Sequence, residues 1–226
     1  MYVKDVVDRV RKAIDEVSQG GTDFDNMTED EANLTAIIVD KIPYALQHVV
    51  ENAPIEKLDS DMMKEFSAAQ LEENVTRTAD GVVKVKLPFE LLRIIEARLS
   101  SWSHFPEPVP ATSQVYLMQQ DTYARGSYDR PVNILTHEGT QRVLEMYCQK
   151  DSNDKLIFLF INKPVIGSIT TENMNDPVAV PTLLEASFIY QVAALTMVAF
   201  REDIADTLFN ISQRYMDANT SLTAKQ

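Results

Sequence analysis

Apolar residues at Val3, Val6, Val7, Val10, Ile14 and Val17 recur at three- and four-residue steps, which places them on one stripe of an otherwise charged helix. Gly20-Gly21 is expected to end it, and a polar, acidic linker follows. Thr28 with Glu31 three residues later has the form of a capping box. A second helix is predicted from there through Leu34, Ile37, Ile38 and Ile42. Pro43 should kink or restart it, and Tyr44, Leu46, Val49 and Val50 extend its apolar face to Pro54. A short helix over Asp59–Gln70, with Met62, Met63 and Phe66 inward, completes the first helical region.

The period then falls to two. Val75–Thr78 and Val82–Lys86 flank Asp80-Gly81, a hairpin signal. After Pro88, the positions Phe89, Leu92, Ile95 and Leu99 predict a helix. Phe105–Pro110 holds three prolines and is expected to cross the surface as stiff extended chain. Strands are predicted at Gln114–Met118, Val132–Leu135, Gln141–Cys148 and Lys155–Ile161, with a turn at Asp151–Asp154.

The last third returns to helical spacing. Pro181 suits a first helical position, and Leu183–Phe200 is apolar nearly all round, as a central core helix would be. Its cover has to come from other helices of the chain or from other subunits. Ile204, Leu208, Ile211 and Tyr215 mark one more amphipathic helix, and Thr220–Gln226 reads as a frayed tail. The fold class is therefore α+β: a helical frame from both chain ends around a β-rich central insertion. The expected organisation is one domain over 1–226. Residues 1–72 supply the N-terminal helices, 73–178 the β-rich insertion with one helix and a long aromatic loop, and 179–226 the C-terminal helices and tail.

Composition narrows the function. With 34 acidic and 21 basic residues the net charge is −13, against any broad neutralisation of nucleic-acid phosphates. Six glycines in 226 residues leave little material for phosphate-cradling loops. The single Cys148 excludes an intrachain disulfide and fits a reducing compartment. No secretory leader, lipid anchor or membrane span is expected, since polar residues interrupt even Leu183–Phe200. His137-Glu138 lacks the second histidine of a zinc-protease helix. The loop opened by Asp23 and Asp25 lacks the glycine and bidentate glutamate of a calcium site. His48, His104 and His137 share no ligand spacing. No metal, cofactor or catalytic constellation is expected.

Three features stand above this background. Trp102–Arg130 is a long stretch of little regular pattern that carries Trp102, Phe105, Tyr116, Tyr123, Arg125, Tyr128 and Arg130, residue types that anchor protein interfaces. The same rings serve equally well to cover the sheet. An acidic run of Asp15, Glu16, Asp23, Asp25, Glu29, Asp30, Glu31 and Asp40 contains no base. The apolar Leu183–Phe200 segment is the third.

The layout resembles the head-to-tail connector, or adaptor, proteins of tailed bacteriophages, and most nearly a ring protein of crAss-like phages. The likeness lies in Trp102 with the proline-rich Phe105–Pro110, then Tyr116-Leu117-Met118-Gln119 and Tyr123-Ala124-Arg125-Gly126. Arg130-Pro131-Val132 and the closing Gln191–Tyr215 segment add to it. It covers most of the chain in outline. The resemblance implies a structural virion protein of the neck, assembled in the bacterial cytoplasm as a homo-oligomeric ring, commonly twelve-fold. Such a ring joins the portal to the tail and passes double-stranded DNA without specific binding. It implies no enzyme activity and no cofactor. On that reading the aromatic segment contacts a neighbouring subunit or ring, and the eight acids are candidates to face the channel, where like charge keeps DNA mobile. The alternative is a monomeric cytosolic binding module or regulator that uses residues 102–130 for another protein.

Overall fold

The computed structural model describes residues 1–18, 31–121, 123–127, 129–151, 153–164 and 171–218. Helices α1 (Val3–Ser18) and α2 (Glu31–Asn52) come first, followed by strand β1 (Met63–Glu65) and helix α3 (Ala68–Asn74). Strands β2 (Val75–Arg77), β3 (Val82–Lys86), β4 (Leu91–Leu99) and β5 (Val109–Pro110) lead to helix α4 (Gln114–Gln120). Strands β6 (Val132–Glu138), β7 (Gln141–Tyr147) and β8 (Leu156–Asn162) precede helices α5 (Glu185–Met197) and α6 (Glu202–Asp217). The fold is α+β, with helices at both ends of the chain. Two compact units result: a helical one from Met1–Ser60 and Pro164–Gln226, and a two-sheet one from Asp61–Lys163. The insertion thus runs over 61–163, where the sequence suggested 73–178.

In the helical unit α5 is the hub, packed against α6, α2 and α1. The valine stripe of α1 buries Val3, Val6, Val7, Val10, Ala13 and Ile14. α2 runs on through Pro43, because Ile38, Val39, Ile42, Ala45, Leu46 and Val49 are buried on both sides of the missing amide. Two of the polar residues that interrupt the apolar run of α5, Ser187 and Gln191, face α6. Ser212 Oγ donates to the Ser187 carbonyl at 2.9 Å and to Gln191 Oε1 at 3.1 Å, and Ser187 Oγ donates to the Ser212 carbonyl at 3.0 Å. Helices of the same chain therefore cover the middle of this segment, while Leu183, Val198 and Phe200 at its ends are exposed. Lys57, itself buried, donates to the carbonyls of Tyr215, Met216 and Ala218, neutralising the C-terminal end of α6. The Gly20-Gly21 stop and the Thr28–Glu31 capping box lie outside the described residues.

The two-sheet unit pairs β1-β8-β4 in one sheet and β2-β3-β7-β6-β5 in the other; all neighbours are antiparallel except β5 and β6. Val83, Val85, Leu144 and Met146 from the larger sheet meet Ala97, Leu99, Phe158 and Phe160 from the smaller. Phe66 closes the core, 4.8 Å from Phe158 and 5.3 Å from Phe160 between ring centres. Two side chains tie the sheets at the β4 backbone: Asn133 Nδ2 donates to Ala97 O at 2.8 Å and Arg142 to Leu91 O at 2.7 Å.

Three sequence expectations are corrected in this unit. The segment after Pro88 is strand β4, not a helix. Its pairing with β8 shifts register between Leu91 and Arg93 and between Ile94 and Glu96, so apolar residues fall at helix-like intervals along a bulged strand. Gln114–Met118 is not a strand but the start of α4, capped by Ser113, whose Oγ accepts from the Tyr116 amide at 3.4 Å. Asp59–Gln70 is not one helix. It is a short turn, strand β1, and the start of α3 at a Ser67–Gln70 capping box.

Candidate functional site

The residues of the 102–130 segment divide into those that build the two-sheet unit and those that leave it. Trp102 is 3% exposed inside the core and its indole Nε1 donates to Cys148 O at 3.1 Å. Phe105 is half-buried against the same core. Neither ring is free to anchor a partner, and both are corrected to core residues. Tyr116 covers the outer face of the larger sheet, where Val82, Ile134 and Tyr147 form a second, smaller cluster.

Arg125 is committed to the fold as well. Its Nε donates to Gln119 O at 2.9 Å and an Nη donates to Asp80 O at 3.0 Å, while the guanidinium lies 5.8 Å from the centre of the Tyr147 ring. Buried Gln119 accepts from the Gly126 amide at 3.0 Å and donates to Val115 O at 3.1 Å. Gly126 has no room for a side chain, since a Cβ there would meet Arg130 O at 2.6 Å. Cys148 adopts φ +79° with its thiol directed to the Gly126 carbonyl, and burial pushes the thiol's pKa up, away from thiolate chemistry. Hydrogen bonds on both sides thus hold the loop after α4.

What this scaffold presents outward is apolar. With Tyr116 and Gln119 turned in, the helical repeat turns Leu117 and Met118 out, beside a half-exposed Val115, and Tyr123 is 99% exposed. Leu117 and Met118 are the functional candidates that the strand reading missed; strand alternation puts Tyr116 and Met118 on the same face. Arg130 is exposed, and Tyr128 lies outside the described residues.

Beside this knob the sheet carries a polar cluster. Lys84 lies 2.9 Å from Glu138 and 3.1 Å from the buried Glu145, and the Tyr147 hydroxyl donates to Glu145 at 2.8 Å. Hydrogen bonds to Glu138 and then Glu145 raise the Lys84 pKa, and the same bond lowers that of Glu138. Burial first, then Glu145, raises the Tyr147 phenol. One ammonium thus bridges two carboxylates.

A cleft of about 540 Å³ opens elsewhere on the same unit, lined by Leu71 and Glu72 of α3, Val75 and Arg77 of β2, and Lys155 and Leu156. Of the acidic candidates, Asp15 and Glu16 are exposed on α1 and Asp40 is exposed on α2, 2.8 Å from Lys41. Asp23, Asp25, Glu29 and Asp30 lie outside the described residues, as does the side chain of Glu31. His48, His104 and His137 are exposed. Among the described residues no three His, Cys, Asp or Glu side chains gather to hold a metal ion, and no helix is long and apolar enough to cross a membrane.

The fold and site define an α+β chain whose two-sheet unit carries an uncharged apolar knob on a hydrogen-bonded loop. No protein-family model matches the chain, and no curated protein matches it significantly.

Proposed function

We propose that this chain is a structural subunit that assembles into a homo-oligomeric ring in the neck of a tailed-phage virion, between portal and tail, without enzymatic activity. The observation that carries this reading is the knob itself: Leu117 and Met118 on α4 and Tyr123 on the loop after it face solvent, and hydrogen bonds of Arg125 and Gln119 tie that loop to the helix. Large side chains held exposed by a rigid support are poised to bury against another protein at little cost in conformational entropy. The phage assignment within that class comes from the resemblance in the 102–132 and 191–215 segments. Asp15 and Glu16 on α1 supply exposed negative charge suited to a channel through which DNA slides.

Native mass spectrometry and negative-stain imaging of the full chain, alone and with the portal protein of the same phage, test the proposal. Rings, free or seated on the portal, are expected. A monomer at every concentration that also ignores the portal removes the ring and favours the binding module. A ring with Asp15 and Glu16 on its outer rim removes the channel role of those acids.

A further inference from the structure

Resting on the ring reading, we propose how the ring contact is made: the knob of one copy seats in the cleft of the next. Leu117, Met118 and Tyr123 would bury against Leu71, Val75 and Leu156. Knob and cleft are different surfaces of one unit, so the contact is heterologous. Such a contact repeats around a ring, whereas a symmetric one stops at two copies.

Charge selects a second copy as the occupant. In a chain of net charge −13, most pairs of surfaces on two copies repel. Gln114 through Gln120 carry no charge, so α4 approaches an acidic neighbour without that penalty. The knob's border is acidic at Asp121. The cleft's exposed charges are Arg77 and Lys155 against Glu72; with the buried Asp154 counted, bases and acids in the lining balance, so Asp121 meets no net repulsion there. Asp154, which also lines the cleft, is buried and turns its carboxylate to Ser101 Oγ at 2.8 Å and to the amides of Lys150 and Asp151. The cleft's volume falls in the range that takes up a group of a few side chains.

Disulfide trapping tests the contact. The full chain carrying both Leu117→Cys and Leu71→Cys is expected to form a ladder of dimers, trimers and higher multimers on mild oxidation. Each single substitution, and the wild type with its half-buried Cys148, is expected to stay uncrosslinked. Dimers from Leu117→Cys alone would mean a symmetric contact and overturn the proposal. Wild-type rings in images without a ladder in the double variant would overturn the contact and leave the ring. A wild type that stays monomeric even with the portal protein, with no ladder in the double variant, would overturn both. Lys155→Glu gives a second readout that spares the core, because the side chain is exposed. It is expected to weaken assembly about tenfold with an unchanged circular-dichroism spectrum, and unaltered assembly would count against the contact.

Discussion

The indole Nε1–H of Trp102 donates to the backbone carbonyl of Cys148 at 3.1 Å, joining residues 46 positions apart at the point where the chain takes φ +79°. The ring fills the core while its polar edge holds a backbone conformation that non-glycine residues adopt at a cost. Trp102→Ala removes both functions and is expected to destabilise the two-sheet unit by about 3–5 kcal/mol. Trp102→Phe keeps most of the packing and should cost about 1–2 kcal/mol. Urea unfolding followed by far-ultraviolet circular dichroism measures the two; a Trp102→Phe variant as stable as the wild type would show that the hydrogen bond contributes nothing.

Gly126 is needed for space rather than for its φ angle. In Gly126→Ala the new methyl would sit 2.6 Å from Arg130 O, so backbone has to move. The expected cost is about 1–3 kcal/mol, concentrated in the loop after α4. Limited trypsin digestion should then cut after Arg125 faster than in the wild type, while the core retains its protection. Unchanged cleavage would show that the loop yields without loosening.

Asp154 gives stability a specific acid limb. Burial alone would raise its pKa, but hydrogen bonds from Ser101 Oγ, the amides of Asp151 and Lys150, and Ser100 Oγ outweigh it and hold the carboxyl below its ordinary value of 3.8. A depressed native pKa means the unfolded chain takes up the proton first. The contribution is therefore complete above the ordinary value and disappears as pH falls through the lower native one. Asp154→Asn is expected to cost about 1–3 kcal/mol at neutral pH, with the gap to wild type closing below about pH 4. Urea midpoints across a pH series would show it; a gap that persists in acid would rule out the charge as its source.

Lys57 stabilises the helical unit from inside. Its ammonium donates to three carbonyls at the end of α6, where the helix dipole is negative. Lys57→Met keeps the bulk and removes the donors, leaving carbonyls unsatisfied. The expected loss is about 2 kcal/mol, seen as earlier thermal loss of helical circular dichroism.

The frame was readable because its signal is periodic: the valine stripe of α1 needs only burial on one face, and in β3 the buried Val83 and Val85 alternate with the less buried Lys84 and Lys86. The failures share one cause, the loss of a simple period. Two bulges shift the register of β4 until its spacing imitates a helix, and α4 spans only two turns, too short to outweigh its Val115-Tyr116-Leu117 strand propensity. The Ser113 cap and the Ser67–Gln70 box were present in the sequence and marked both helix starts. At the candidate site, composition found the right segment but not the right residues. Whether a tyrosine covers a sheet, as Tyr116 does, or faces water, as Tyr123 does, depends on partners far along the chain.

The chain enters the two-sheet unit on β1 and leaves it on β8, and these strands pair antiparallel, Met63 opposite Ile161. When that unit folds, Ser60 and Pro164 are brought together, and the roughly hundred residues between them stop counting as an open loop. The helical unit, whose hub α5 lies beyond the insertion, then assembles across a short gap rather than a long one. During synthesis the inserted unit can be complete before α5 and α6 leave the ribosome, so the order of translation matches the order in which loop entropy falls.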